Sequence, residues 1–202
     1  MQQDSQLTFE MFTQKCLTFH TCYFEGLVYQ LLYDFCKCGF LHSVPKSHLF
    51  SLSSGAVLHD IGKCALSAQM IDRPSALTSL EYELLKQHTT LGAAVFDVCF
   101  PQSEHSLSLK YAREIALCHH ERWDGSGYPT GLKGGQIPDY VQVISLADCY
   151  DALRMQRSYR QECSHKQAVE LILSGACGVF QPQVLSIFKS IISPIVQSLY
   201  CE

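Results

Sequence analysis

The chain has 202 residues, of which 47% are hydrophobic and 17% charged, a composition typical of a globular protein and not of a disordered one. Its net charge of -4 disfavours a nucleic-acid polymer as the main partner, because binding along a phosphate backbone requires an excess of Lys and Arg. No apolar run approaches the roughly 18 residues of a membrane-spanning helix, so no membrane segment is predicted.

The cysteines indicate a reducing environment. There are eleven of them, an odd number, and no two have the CxxC spacing. The first residues also lack the basic and then apolar pattern of a secretion signal. We therefore interpret the thiols as reduced and mostly buried, and the protein as cytoplasmic.

The first helical pattern covers residues 7–38, as one or two helices. Apolar residues such as Leu31 and Phe35 recur there at spacings of three and four, and His20 falls on the same stripe. Gly39 is expected to end the pattern, because glycine readily adopts the left-handed conformation that follows a helix.

A connector follows over residues 40–54, and its pattern does not determine its structure. The connector contains two histidines, His42 and His48. We then predict a small apolar helix over residues 55–61 that presents His59 and Asp60 and ends where Gly62 breaks it.

The next predicted helix begins at a capping box. Thr78 and Glu81 have the spacing at which each side chain bonds the backbone of the other residue. Beyond this box we predict one helix with a buried stripe of apolar side chains, namely Leu80, Leu84, Leu91 and Val95. His88 lies four residues after Leu84 and is expected to face inward.

A further helix is predicted to begin near Ser108 and to end at two adjacent histidines. His119 lies four residues after Ile115, and His120 lies four residues after Ala116, so both continue the buried face. Imidazoles on a buried face need hydrogen-bond partners or a metal for their ring nitrogens.

The rest of the chain predicts a turn-forming loop rich in Gly and Pro, which follows Glu121 and extends to Gln136, and then three helices. Pro138 suits the first position of a helix in which Val141, Ile144, Asp148 and Met155 have helical spacing, which directs the Asp148 carboxylate at the core. Two amphipathic helices are expected around residues 168–173 and 184–199.

Because no strand pattern appears, the predicted fold class is all-α. We expect a single domain over residues 1–202, with N-terminal helices and connector (1–54), a core (55–160) and C-terminal helices (161–202).

Histidines and carboxylates therefore lie on the apolar stripes of several helices. Burying such groups costs several kcal/mol each unless a cation compensates for them. The candidate ligands from this pattern are His20, His59, His88, His119 or His120, and Asp148, with Asp60 or Asp148 able to bridge two ions. Imidazole and carboxylate ligands in a helical bundle suit iron, manganese or zinc.

Two divalent ions about 3.5 to 4 Å apart favour an in-line displacement at phosphorus, because they supply a hydroxide and clamp the reacting oxygens. Such a reaction also needs cations that bind phosphate. Lys63 lies three residues after Asp60, and Arg157 and Arg160 follow the Asp148 helix. The sequence therefore predicts a metal-dependent phosphohydrolase.

Two motifs resemble those of the bacterial HD-GYP domain family. Residues 59–63 read HDIGK, similar to the HDxGK signature, and residues 119–129 read HHERWDGSGYP, similar to the HHExxDGxGYP signature. The resemblance extends from about His20 to Phe188. It implies an all-helical HD-superfamily fold with a central metal site, and hydrolysis of the messenger cyclic di-GMP.

The resemblance also assigns roles by motif position. Metal ligands are implied at His59, Asp60, His88, His119, His120 and Asp148, with His20 as a ligand on the first helix. Phosphate contacts are implied at Lys63, Arg157 and Arg160, and Asp151 would orient ligands or a nucleobase. Tyr128 and Pro129 belong to the loop that names the family, which is expected to form a lip of the site or a surface for a sensor or GGDEF-type protein. The apolar first helix could serve a homodimer.

Two departures from the family pattern matter. Members with three metals carry a glutamate one turn before the first-helix histidine, where this chain has Cys16. We therefore expect two divalent ions, Fe or Mn, and linear pGpG as the main product. The interval from His20 to His59 is longer than usual, so His42 or His48 could take the place of His20.

The expected mechanism begins with a hydroxide held between the metals, which attacks one phosphodiester phosphorus. Lys63 and the arginines offset the charge that builds on the phosphoryl oxygens. Glu121 and Asp124 are candidates for orienting the imidazoles, although Asp124 could equally cap the turn. Two alternatives stay open: a phosphohydrolase for another nucleotide such as mixed cyclic GMP-AMP, and a catalytically silent domain that binds the messenger or a partner.

Overall fold

The computed structural model describes residues 19–71, 75, 77–100, 106–155 and 162–200. These residues form nine α-helices, and no strand occurs among them, which confirms the all-α prediction. The α-helices are α1 (Phe19–Lys37), α2 (Leu49–Ala56), α3 (Ala68–Ile71), α4 (Ser79–Lys86), α5 (His88–Cys99), α6 (Leu107–Cys118), α7 (Asp139–Arg154), α8 (His165–Leu173) and α9 (Pro182–Tyr200). Short 3-10 helices span Lys46–His48, Ile61–Ala65 and Gly134–Gln136. None of the described helices is both long and apolar enough to cross a membrane.

Helices α1 and α7 lie at the centre of the main core. Every residue of α7 from Tyr140 to Ala147 is buried, and a helix that is covered on all sides belongs in the interior of a bundle. The side chains of α1 from Leu27 to Phe35 pack against α2, α7 and α9. Asp148 therefore lies at the end of a fully buried stretch, in a position that the surrounding helices fix.

A second, smaller core holds together the segments that carry the predicted metal ligands. Ile61 from the 3-10 helix packs with Phe96 of α5 and with Ala112 and Ala116 of α6. This cluster fixes the segment that carries His59 and Asp60 against the helices that carry or precede the other histidines.

The predicted helix over residues 55–61, broken at Gly62, is wrong. Helix α2 ends at Ala56, His59 and Asp60 lie in a turn, and the 3-10 helix continues through Gly62. A Cβ at position 62 would lie 1.9 Å from the backbone oxygen of His88. Glycine is therefore required here for a close approach of two backbones and does not end a helix.

The predicted single helix after the capping box is also wrong, although the box itself is present. Gln87 separates α4 from α5, and α4 has no buried residue. Leu80 is 73% exposed and Leu84 is 42% exposed, so the predicted stripe fails before the break. His88 is nevertheless buried, because α5 starts a new helix whose own face points inward.

Smaller boundaries also differ from the predictions. Gly39, with a φ of 70°, follows α1 as expected. Pro138 precedes the first residue of α7, and Met155 lies beyond its end. The connector contains the start of α2 at Leu49, which its serine-rich sequence did not indicate.

Candidate metal centre

Six of the predicted ligands converge at one point of the bundle. They come from the turn after α2, the start of α5, the turn after α6 and the last part of α7: His59, Asp60, His88, His119, His120 and Asp148. The His59 and His119 rings lie 5.1 Å apart between centroids, and the His88 and His120 rings also lie 5.1 Å apart. Residues separated by up to 89 positions in sequence thus form a single cluster of donor atoms.

The Asp60 carboxylate lies in the middle of this cluster. Its Oδ2 is 3.4 Å from His59 Nε2, and its Oδ1 is 3.3 Å from His88 Nε2 and 3.9 Å from His119 Nε2. His59 Nε2 is in turn 3.5 Å from Asp148 Oδ1. Asp60 is one of the two carboxylates predicted to bridge two ions. One of its oxygens faces His59 and the other faces His88 and His119, as a bridge requires.

The donor atoms fall into two groups that could each hold an ion. One consists of His88, His119 and His120, and the other of His59, His119 and Asp148, with the donor atoms of each group within 4.8 Å of one another. The two groups share His119, and Asp60 lies between them. This arrangement suits a pair of adjacent cations, because one carboxylate can contact both.

Backbone carbonyls fix which ring nitrogen faces the centre. His59 Nδ1 lies 2.8 Å from the oxygen of Ala56, His88 Nδ1 lies 2.6 Å from that of Leu85, and His119 Nδ1 lies 3.0 Å from that of Ile115. A neutral imidazole that donates from Nδ1 has an unprotonated Nε2. Each Nε2 is thus directed inward and could bind a cation, the arrangement that orients histidine ligands in metalloproteins.

Electrostatics keep most of the centre in the protonation states that a metal requires. Burial, together with the neighbouring imidazoles, lowers the pKa of His119 to about 3 and that of His120 to about 2. Burial also lowers the pKa of His88. These three imidazoles are therefore neutral at physiological pH and able to bind a cation.

His59 and the two carboxyls compensate one another. Burial lowers the pKa of His59, but Asp60 and Asp148 more than reverse that effect and hold it well above its ordinary value. Burial raises the pKa of Asp60 and of Asp148, and His59 outweighs burial in both, so both pKa values lie below the ordinary range. The centre thus holds two carboxylate anions beside a proton that a metal cation can replace.

An unpaired oxygen of Asp60 also indicates that this set of donor atoms suits a metal ion. Asp60 Oδ1 is buried and has no hydrogen-bond partner within the described part of the chain. Buried carboxylate oxygens are almost always paired, because an unpaired one loses its hydration without compensation. A cation between Asp60 and the histidines would supply the missing partner.

The centre opens into a cavity of about 670 Å³. Its described cations are Lys63, Lys86 and Arg122, and the rings of Tyr82 and Tyr128 also line it. Tyr128 stacks on His120, with ring centroids 4.6 Å apart. The cavity thus combines the candidate metal ligands with cations that can bind phosphate and aromatic rings on which a base can stack.

Sequence reasoning did not single out Lys86, Tyr82 or Arg122. Lys86 precedes the ligand His88 by two residues, and Arg122 follows the double histidine by two. The sequence signal that could have identified Lys86 and Arg122 was their proximity to the predicted ligands. It was weak, because side chains two positions apart on a helix point in different directions.

Glu121 has a different role from the one predicted. Its two carboxylate oxygens accept hydrogen bonds from the backbone N–H groups of Thr130 (2.8 Å) and Leu132 (2.9 Å), and its side chain is buried. Glu121 therefore holds the Gly/Pro-rich loop and not an imidazole. Asp124 accepts hydrogen bonds from Ser126 and caps the turn, which was the alternative reading.

Arg122 fastens the double-histidine turn to the loop between α8 and α9. Its guanidinium donates to the carbonyl oxygens of His119 (3.1 Å), Glu121 (2.9 Å) and Cys177 (2.9 Å). It also lies 5.1 Å from the centroid of the Phe180 ring. The side chain therefore braces the turn that carries the two predicted ligands His119 and His120.

We expect Arg122→Met to lower the free energy of unfolding by about 2 to 4 kcal/mol, because it leaves several carbonyls without their charged donor. Chemical denaturation monitored by circular dichroism measures this change. The matched control is Arg113→Met, which removes an arginine whose pairing with Asp97 is exposed and therefore contributes little. Equal stability of Arg122→Met and Arg113→Met would show that the brace is unimportant.

The other residues predicted to take part in the site lie outside the cluster of six ligands or outside the described part of the structure. Asp151 is buried on α7 and lines a smaller cavity of about 180 Å³ beside His59 and Asp148. His48 hydrogen-bonds Tyr111 at 2.7 Å, and His42 lines a different cavity beside Trp123, so neither joins the centre. His20 lies on α1, but its side chain is outside the described part of the structure, as are Cys16, Arg157 and Arg160.

Comparisons with known proteins agree with this geometry. A family profile described as an HD domain matches residues 30–184. A "Probable cyclic di-GMP phosphodiesterase" of Vibrio cholerae is 41% identical over 134 residues, which cover 66% of this chain and 30% of that protein. A "3'3'-cGAMP-specific phosphodiesterase 2" of the same species is 31% identical over 147 residues, which cover 73% of this chain and 27% of that protein. The chain spans less than a third of the length of these two relatives.

A solved structure supports the fold. Bd1817, an HDG"Y"P protein from Bdellovibrio bacteriovorus, is similar with a TM-score of 0.60 and 19% sequence identity, over 84% of this chain and 51% of that chain. At this level of identity the similarity concerns the fold alone. It agrees with the HD-superfamily bundle that the two motifs predicted.

Proposed function

Because the chain belongs to the HD domain family, we propose that it is a metal-dependent phosphodiesterase that hydrolyses cyclic di-GMP, mainly to linear pGpG. The observation that carries the proposal is the convergence of three histidines, His59, His88 and His119, on the Asp60 carboxylate beside a cation-lined cavity. The name of the 41%-identical relative gives the substrate class. The Cys16 position, where members with three metals carry a glutamate, supports pGpG as the main product.

We propose two divalent ions, Fe or Mn, as the cofactor. The residues that would hold them are His59, Asp60, His88, His119, His120 and Asp148, with His20 as a further ligand on α1. When bound, the ions supply a hydroxide nucleophile at neutral pH and stabilise negative charge on phosphoryl oxygens. The inward Nε2 atoms and the unpaired Asp60 Oδ1 support this assignment.

The chain's own residues would bind and orient the substrate. The Lys63 ammonium contacts the Asp60 carboxylate and lines the cavity, so it would lie beside the phosphodiester under attack and offset the charge on its oxygens. Tyr128 covers His120 and would keep water from one side of the site. We propose Arg157 and Arg160 as further phosphate contacts and Asp151 as an orienting residue on the strength of the motif match.

Partner and location also stay predictions. We propose a homodimer, a sensor or GGDEF-type partner at the Gly/Pro-rich loop, and a cytoplasmic location from the sequence alone. The Gly/Pro-rich loop is the part of the site wall that such a partner would alter most directly, because Tyr128 within it contacts His120.

A second candidate is hydrolysis of a mixed cyclic dinucleotide. The relative named as specific for 3'3'-cGAMP matches 73% of the chain. The same metal centre on the same scaffold is therefore compatible with a cyclic dinucleotide that carries two guanines or one guanine and one adenine. A catalytically silent domain that binds the messenger or a partner is a third candidate, and turnover measurements separate it from the other two.

The test is turnover by protein purified anaerobically and loaded with Fe(II) or Mn(II). Cyclic di-GMP, 3'3'-cGAMP and pGpG are each incubated with the loaded protein, and the products are separated by liquid chromatography. We expect cyclic di-GMP to be consumed fastest and pGpG to accumulate. Faster turnover of 3'3'-cGAMP would replace the substrate assignment, and bound metal without turnover of any cyclic dinucleotide would favour the silent domain.

A further inference from the structure

One cation of the large cavity has no role in the metal centre. Within the described residues that line this cavity, Lys63 contacts the Asp60 carboxylate, and Arg122 donates to three backbone carbonyls. Lys86 instead pairs with Glu83 one turn earlier on α4, at 2.6 Å. The Glu83 side chain is 64% exposed, so this pair faces water and can exchange its carboxylate for another anion.

Aromatic rings hold the Lys86 ammonium at the cavity wall. Its Nζ lies 5.1 Å from the centroid of the Tyr82 ring and 5.6 Å from that of the Tyr128 ring. Tyr128 stacks on His120, a candidate metal ligand. Lys86 is therefore separated from the metal centre by a single aromatic ring, and a molecule in the cavity can contact both.

The chemistry of the proposed substrate calls for a cation at this position. A cyclic dinucleotide contains two phosphodiesters in one ring, and only one of them can be attacked at the metal centre in a given turnover. The other remains an anion inside the same cavity and loses water on binding. A lysine flanked by two tyrosine rings offers such an anion a compact positive charge at the cavity wall.

We propose that Lys86 binds the phosphodiester that is not under attack. This inference rests on the proposed function, since it assumes a substrate with two phosphodiesters. Because the contact is remote from the reacting phosphorus, it holds the ground state and the transition state alike. Loss of the contact should therefore raise KM and leave kcat nearly unchanged.

The experiment compares two substrates. Cyclic di-GMP carries two phosphodiesters, whereas bis(p-nitrophenyl) phosphate carries one and can use only the metal centre. For Lys86→Met we expect KM for cyclic di-GMP to rise about ten- to a hundred-fold, the effect of one hydrogen bond to a charged group. Its kcat/KM for bis(p-nitrophenyl) phosphate should stay within about twofold of wild type, which also verifies folding and metal loading.

Matched variants complete the design. Lys86→Arg keeps the charge and should recover most of the lost affinity, and Lys110→Met removes an exposed lysine of α6 and should change neither substrate's kinetics. An unchanged KM for cyclic di-GMP in Lys86→Met, or an equal loss with both substrates, would overturn the assignment of Lys86. If wild type cleaves bis(p-nitrophenyl) phosphate but no cyclic dinucleotide, the proposed function fails and the inference fails with it.

Discussion

Asp60→Asn is expected to remove both ions from the centre and to lower turnover of cyclic di-GMP by at least about a thousand-fold. The Asp60 carboxylate has one oxygen near His59 and the other near His88 and His119, so among the described carboxylates it is positioned to contact both ligand sets. Asparagine keeps the shape but removes the negative charge that two divalent ions require. Several kcal/mol of transition-state stabilisation then disappear with the ions, and each 1.36 kcal/mol is about a factor of ten in rate.

The measurement pairs metal content per chain, by mass spectrometry of the digested protein, with turnover under saturating substrate. Asp97→Asn is the matched control, because it makes the same chemical change at an exposed carboxylate of α5 that pairs with Arg113. We expect the control to bind metal and react as wild type does. Full metal content and near-normal turnover in Asp60→Asn would contradict the role of Asp60 as a bridge.

Gly62→Ala is expected to lower the free energy of unfolding by about 3 kcal/mol or more, a large effect for one methyl group. The added Cβ would lie 1.9 Å from the His88 oxygen and 2.5 Å from the Gly92 nitrogen, both of which are backbone atoms. The 3-10 helix and α5 would have to separate, and with them Asp60 and His88. Metal affinity should therefore fall together with stability.

Thermal unfolding and metal titration of the same preparation test this prediction. Gly135→Ala is the matched control, because nothing lies within 4 Å of a Cβ at that position and its backbone is not left-handed. For a chain of this length, about 3 kcal/mol corresponds to a fall in Tm of roughly 6 to 12 °C. A Gly62→Ala protein with the Tm and metal affinity of Gly135→Ala would show that the close approach is not needed.

The parts of the site that the sequence could predict are those set by local spacing. His119 follows Ile115 by four residues and therefore lies on the same buried face. This spacing was enough to predict that His119 faces inward. Asp148 follows Ile144 by four in the same way on α7. Asp148 lies within α7, and His119 directly follows α6 with backbone angles that are still helical, so the periodicity of apolar residues carries over to both predicted ligands.

The parts that could not be predicted depend on contacts between distant segments. Gly62 appeared as a helix breaker because nothing local indicates that the His88 carbonyl lies against it. The prediction placed Leu80, Leu84 and His88 on the same face of one helix. The helix is interrupted at Gln87, so the face predicted for α4 cannot be extended to α5. His88 was placed inward correctly for a reason that does not hold, since α4 itself buries none of its residues.

Side chains that act on the backbone of other segments were also beyond the reach of sequence patterns. Glu121 appeared to be an outer partner of the imidazoles because it adjoins them in sequence. Its carboxylate instead fixes Thr130 and Leu132, nine and eleven residues later. Arg122 similarly reaches Cys177, a contact that depends on how α8 and α9 return to the centre. Such roles follow from tertiary structure alone.

The central claim is that the histidines gathered around Asp60 hold two cations side by side. Crystals of the protein loaded with Mn(II), measured near the manganese absorption edge, test it most directly through the anomalous difference map. We predict two peaks about 3.5 to 4 Å apart, one among His88, His119 and His120 and the other among His59, His119 and Asp148. A map with one peak or none at these residues under saturating manganese would contradict the claim.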